Sequence, residues 1–335
     1  MARAKCFVLI LALMAALFSG CGLAGQGEEP DYPQQYEIAP DPEYPVHVGG
    51  AVIEFRPSRI VSLAPSLTEK IYDLGHGNRL VGISDHQGDF PHSIAHLPSY
   101  GIATLPDIDG ILAVRTHVVF SVSELPADAM NALADANIPL VVLPSYAHNM
   151  AQLAEIYLGI SKVLDGRTTG QLIGERFMRD FNDRIDQIAA MHFVSEPMNA
   201  VYLRALDFTI ATGDTLEGEL MQRIGFVNIA HRQRSWVFDP EEAAQPEGQE
   251  LFQSIDVMFF DENYVTVETL EQSTFWSTID AVVGNRYVLI DSHIFERQSL
   301  RLLGQLEIMA GALAGTLGGT ADDYNDYNGE NGDYN

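Results

Sequence analysis

From residue 59 onward, short runs of β-branched and apolar residues alternate with stretches whose apolar positions return every three or four residues. Residues 59–64 (RIVSLA), 80–84 (LVGIS), 117–121 (HVVFS) and 140–143 (LVVL) are apolar without alternation, so they read as strands buried on both faces. Pro65-Ser66-Leu67-Thr68-Glu69 opens a helix. Ser66 and Glu69 stand at capping-box spacing, and Gly75 and Gly77 flank the helix end. Residues 127–136 (ADAMNALADA) form a second helical stretch. This alternation predicts a mostly parallel sheet covered by helices.

The alternation then stops. Residues 149–164 read as one helix, and residues 167–191 as a second, with apolar positions at Leu172, Ile173, Phe177, Phe181, Ile185 and Ile188. At ~1.5 Å per residue the second is a rod of roughly 37 Å. A further α/β series follows, with strands at 199–205, 208–211, 255–260 and 287–290, and helices starting at Leu216 and spanning 299–317. The 167–191 helix reads either as one more packing helix or as a stiff connector between lobes, and on the second reading the predicted fold is α/β, with two Rossmann-like lobes joined by a long rigid helix. A cleft between the lobes, faced by strand ends and helix N-termini, is the default ligand site.

The chain ends carry a different pattern. Arg3 and Lys5 precede an apolar run that closes on Phe18-Ser19-Gly20-Cys21. About 15 apolar residues are short of the ~20 a spanning helix needs. A basic start, an apolar stretch and small residues before a cysteine predict a lipoprotein signal peptide over 1–20, with Cys21 as the lipidated residue. A plain secreted protein or an uncleaved anchor is the alternative. Residues 21–52 are expected to be a flexible tether and 319–335 a disordered acidic tail (its last 15 residues read ADDYNDYNGENGDYN). Between them lie an N-terminal lobe (53–166), the linker helix (167–191) and a C-terminal lobe (192–318).

Composition removes several functions. With 335 residues, 47% hydrophobic and 19% charged, the chain is ordinary globular protein. A formal net charge of -27 would repel phosphate backbones, so nucleic acid is not an expected partner. Two cysteines, Cys6 and Cys21, leave little room for a disulfide framework or a cysteine-based zinc site. No Walker loop, G-x-S-x-G, H-E-x-x-H or C-x-x-C occurs. The ten histidines are scattered, and the His92–His96 pair lies between Pro91 and Pro98. No catalytic residue and no metal centre is assigned, and an enzyme is not expected.

Three segments resemble one family. Arg59-Ile-Val-Ser-Leu-Ala-Pro-Ser-Leu-Thr-Glu69 with Leu80-Val-Gly-Ile-Ser84 and Asp89-Phe-Pro91, then Asp109-Gly-Ile-Leu-Ala-Val-Arg-Thr-His-Val-Val119, then Asp291-Ser-His-Ile-Phe-Glu-Arg297 with Arg301-Leu-Leu303, are similar to the ABC-transporter substrate-binding proteins of the Fe(III)-siderophore, haem and cobalamin cluster. Thr116 and His117 stand where that family has Pro-Asp. The resemblance runs from about residue 53 to 318.

The resemblance implies a class III periplasmic-binding fold and an extracytoplasmic location, on the cell surface or in the periplasm. It implies a membrane-anchored monomer that hands its ligand to an ABC permease and ATPase. It implies no cofactor; the guest is a metal chelate, whether cobalamin or another corrinoid, haem, or an Fe(III)-siderophore. Ser62, Pro65 and Ser66 are expected to bring backbone to this ligand. Tyr100 and Trp236 are expected to stack on it, and Arg204 and Arg297 to hook it. His293 stands where the vitamin B12-binding member has an acid, and His86 where it has a tyrosine. Permease docking is assigned to Asp109 on the first lobe and to Glu242, with Glu247 as competitor, on the second. A cleft metalloenzyme or hydrolase, a direct metal-ion carrier and an adhesin or sensor remain open as alternatives.

Overall fold

The computed structural model describes residues 41–85, 90, 91, 93–261 and 263–314. The signal peptide, Cys21, the acidic tail, His86, Asp89 and His92 lie outside the described residues. Among the described residues no helix is long and apolar enough to cross a membrane.

The first lobe is built on four parallel strands. β3 (Ile60–Ser62), β4 (Leu80–Gly82), β7 (Val118–Ser121) and β8 (Leu140–Val142) lie in the order β4-β3-β7-β8. β3 and β7 are wholly buried, which is why they carry no polar alternation. α1 (Pro65–Ile71) follows β3, α2 (Ile108–Ala113) precedes β7, and α3 (Ala127–Asp135) links β7 to β8. A small hairpin of β5 (Gly101–Ile102) and β6 (Leu105–Pro106) projects before α2.

The second lobe has five strands. β9 (Asn199–Ala205), β12 (Val257–Phe260) and β13 (Tyr287–Leu289) run parallel. The outer edge of β9 is shared by antiparallel β10 (Thr209–Ile210) and parallel β11 (Val227–Asn228). Its helices include α6 (Leu216–Arg223), α7 (Pro240–Ala243), α8 (Pro246–Gln253), α9 (Val267–Gln272), α10 (Asp280–Val283), α11 (Ser292–Arg297) and α12 (Leu302–Gly311).

α4 (Met150–Asp165) closes the first lobe, and α5 (Arg167–Met191) runs between the lobes. The linker helix is continuous over the expected span. It lies close against α4 because Gly170 has no side chain: a Cβ there would overlap the Ser161 carbonyl oxygen. Buried Met178, Phe181, Ile185 and Ile188 of α5 join one apolar core containing Leu67 and Leu153 from the first lobe and Leu220 and Leu306 from the second. A core shared by both lobes makes their relative position a packing property and not a hinge property.

Residues 41–52 are not a tether. Val46–Val48 (β1) and Ala51–Ile53 (β2) form an antiparallel hairpin around Gly49 and Gly50, both at positive φ, as a tight two-residue turn requires. Tyr44, Val46 and Ile53 are buried, and the Val142 N–H donates to the Gly49 carbonyl. Glu43 then caps the rod from a distance. Its Oε2 accepts from the backbone N–H of Thr168 at 2.6 Å and of Thr169 at 3.3 Å. The Thr168 N–H is the main reason its carboxyl titrates below the ordinary range. α5 starts after Gly166, which has no side chain to cap it, so this carboxylate satisfies the orphan donors.

Candidate functional site

A cleft of about 760 Å³ separates the lobes. Its first-lobe wall is made by the segments that leave the carboxyl ends of parallel strands: Leu63–Ser66 after β3, Val122 and Ser123 after β7, and Ser145, Tyr146 and His148 after β8. The β5–β6 hairpin adds Ile102, Ala103 and Thr104. The second-lobe wall is Arg204, Trp236, His293, Glu296 and Arg297. This is the strand-end crevice expected of α/β sheets, doubled.

Trp236 is presented by an unusual turn. Arg234 and Val237 pair across Ser235 and Trp236, both at φ +63°. Two consecutive left-handed residues suit Asn-Gly; for Ser-Trp they cost about 1–2 kcal/mol each. The surroundings hold them there. The Ser235 N–H donates to Asp214 Oδ1 (2.9 Å), the Trp236 N–H to Thr212 Oγ1 (3.3 Å), and the Ile210 N–H to the Trp236 carbonyl (3.0 Å). Strain retained at the edge of a cleft is a mark of a presented side chain.

Arg204 lies over the Trp236 ring (5.4 Å) and the Tyr264 ring (5.8 Å) and forms an ion pair with Glu296. Burial is the largest single influence and opposes its charge, but Glu296, Tyr202 and Glu217 together outweigh it and hold the guanidinium above its ordinary range. His293 Nδ1 stands 3.5 Å from the other Glu296 oxygen.

Tyr146 reaches across the cleft floor. Its hydroxyl donates to Glu217 Oε2 at 2.5 Å. Burial pushes the Glu217 carboxyl up to about 7, and burial likewise raises Tyr146. Below the cleft runs a seam of charge with almost no solvent. Arg297 Nη1 meets Glu69 Oε1 at 2.5 Å, Lys70 Nζ donates to the Arg297 carbonyl at 2.5 Å, and Ser299 Oγ donates to Glu69 Oε2 at 2.6 Å. Asp73 Oδ2 accepts from Tyr157 OH and the Leu300 N–H. Burial lowers Lys70 to about 8 and raises Asp73 to about 6. Gln298 closes the seam with both amide atoms on the Ala147 backbone.

The structure redistributes the expected site. Pro65, Ser66, Arg204, Trp236, His293 and Arg297 line the cleft together. Ser62 does not; it is fully buried, donating to the Ala64 carbonyl and accepting from Thr68, so it braces the turn after β3. Nor does Tyr100. Its ring lies in the first lobe's smaller core between Gly82 and Gly110, where a Cβ on either glycine would collide with it. Arg297 lines the floor, yet its guanidinium is turned to Glu69 in the seam. Glu69 therefore is not a cap: α1 begins with Pro65 at its first turn and has no side-chain cap at Ala64. Asp109, Glu242 and Glu247 are exposed, away from the cleft lining. Tyr146, His148 and Glu296 belong to the cleft and were not foreseen. The signal for the first two was their place just past the end of a parallel strand. Among the described residues no group of three or more His, Cys, Asp or Glu side chains is placed to hold a metal ion.

No family model matches the sequence. The chain is 24% identical over 313 residues to an uncharacterised ABC transporter substrate-binding lipoprotein, YvrC, of Bacillus subtilis, covering 90% of this chain and 94% of the relative. Its fold matches a possible iron-binding, periplasmic solute-binding protein from Staphylococcus epidermidis, with TM-score 0.61 and 17% identity over 77% of this chain and 98% of that one. It also matches the periplasmic haem-binding protein RhuT of Roseiflexus sp. RS-1, with TM-score 0.59 and 20% identity over 78% and 99%. These relatives are binding proteins. In sequence over nearly its whole length the chain is similar to an ABC-transporter substrate-binding lipoprotein, and its two lobes share the class III periplasmic-binding fold of these solved structures.

Proposed function

We propose that this protein is the extracytoplasmic solute-binding lipoprotein of an ABC importer, and that it captures a metal chelate (a corrinoid, haem or an Fe(III)-siderophore) between its lobes. The observation that carries this reading is the cleft itself: two lobes on one shared core, with Trp236 and Tyr146 facing a common hollow of about 760 Å³. Large ring-bearing ligands need aromatic faces with a few polar hooks. Trp236, Tyr146, His148, His293 and the Arg204–Glu296 pair supply that mixture.

The interlobe ties favour capture with little domain motion. Met150 N–H to Glu219, Tyr146 to Glu217, Gln298 to Ala147 and Arg297 to Glu69 all cross between lobes. A preorganised site loses less entropy on binding. The protein needs no resident cofactor in this role, since the metal arrives with its chelator.

Calorimetric titration of the purified protein with corrinoids, haemin and ferric siderophores tests the reading. Saturable binding of one of them is expected, and Trp236→Ala should weaken it about tenfold, close to 1.4 kcal/mol. Silence towards every chelate would sink the proposal. Anchoring is assigned to Cys21, and docking on the permease to Asp109 and to Glu242 or Glu247. Cys21→Ser should release the protein from membranes. Replacing the three acids together by Ala should remove stimulation of the transporter ATPase; full stimulation would clear these acids of that role. Single exposed pairs contribute only ~0–1 kcal/mol, so orientation and on-rate are what these acids would supply.

A further inference from the structure

We infer that the chelate carries no net negative charge, and that Glu296 sets this preference. The inference rests on the interlobe cleft being the chelate site. It follows from where the positive charges are. The sequence holds 19 Lys and Arg residues, and only Arg204 and Arg297 are among the described residues lining the cleft. Each already faces a carboxylate. Arg297 is held by Glu69 below the floor, and Arg204 by Glu296 on the wall. The remaining lining is apolar or neutral, apart from the rings of His148 and His293. Residues 86–89, 92 and 262, which the structure does not describe, contain no Lys or Arg and do contain Asp89 and Glu262.

An anionic guest would therefore have to compete with Glu296 for Arg204. It would do so inside a cleft of lowered dielectric, where the unsatisfied repulsion is strong. The field of the whole chain, at -27, adds to that repulsion during approach. A neutral or cationic chelate meets no such barrier. It finds the flat Trp236 ring backed by Arg204, and a Glu296 carboxylate able to accept from amide N–H groups. Arg204 thus stiffens the aromatic wall and does not serve as an anion hook.

The test is a calorimetric panel on the mature protein at pH 7.5. The probes are cyanocobalamin and a neutral ferric trihydroxamate, against haemin with its two propionates and a ferric tris-catecholate. Saturable binding of at least one neutral probe, with both anionic probes at least tenfold weaker, is expected. An anionic probe bound within tenfold of the best neutral one, or more tightly, overturns this inference but leaves the carrier function standing. Binding of none of the four overturns the carrier function as well. Two variants then probe the pair. Glu296→Gln should raise the ratio of anionic to neutral affinity at least tenfold, because Arg204 is released. Arg204→Gln should lower that ratio. If neither variant moves it, Glu296 does not set the charge preference.

Discussion

Glu296 and Arg297 are neighbours at the end of α11, yet they belong to two different regions. Glu296 points into the cleft and pairs with Arg204; Arg297 points into the seam and pairs with Glu69. Side-chain exposures are 35% and 28% for the cleft pair and 6% and 1% for the seam pair. The chemistry is the same and the consequences differ. A half-solvated pair can exchange partners with water or a ligand at low cost. A dehydrated pair is tolerated only while both charges and their hydrogen bonds stay in place. The comparison separates a cleft wall from an interlobe clasp within two residues.

The comparison breaks most visibly at the seam. Arg297→Ala leaves the Glu69 carboxylate buried with Ser299 and the more distant Arg301, at 3.4 Å, as its partners. A loss of about 3–5 kcal/mol of stability is expected in denaturant unfolding. A loss under ~1 kcal/mol would mean that the seam is no clasp.

Glu217 sharpens the contrast, because it is a buried carboxylate whose hydrogen-bond partner is a tyrosine and not an arginine. Burial raises it to about 7 from 4.5, so the folded state holds its proton more tightly than the unfolded chain. Its cost to stability is absent below pH 4.5, grows as pH rises towards 7, and is complete above, at up to about 3 kcal/mol. Glu217→Gln removes that ionisation. The variant should be more stable than the parent at pH 8 and equal to it near pH 4.5, as followed by thermal unfolding across pH. A gap that does not change with pH would contradict this assignment.

The smallest effect is expected at the cleft. Arg204→Ala should shift stability by less than ~1 kcal/mol, since both partners retain solvent. A larger loss by denaturant titration would make the cleft pair structural too and erase the distinction.

Much of the fold is legible in the chain because burial on both faces imposes unbroken apolar runs. β3, β7, β9 and β12 stand out for that reason, and α5 for its one-sided apolar stripe. The hairpin at 46–53 was legible in its Gly-Gly turn but hidden by the Pro- and Glu-rich residues before it. Side-chain destinations were less legible. Tyr100 and Trp236 are both large aromatics in loops, yet two glycines 28 residues apart swallow the first while a strained turn displays the second. Glu69 sits at perfect capping spacing from Ser66 and instead serves an arginine 228 residues away.

What the sequence determined by itself is the alternation of strands and helices, the two-lobe plan and the unbroken rod. These depend on local periodicity and on which segments are apolar, and such information is carried by neighbours along the chain. Only the tertiary structure decided which of two adjacent charges faces the cleft and which faces the seam. It also decided that Tyr146 shares the hollow with Trp236. Ion pairing and dehydration act through space, at a few ångströms, between residues that the chain holds far apart.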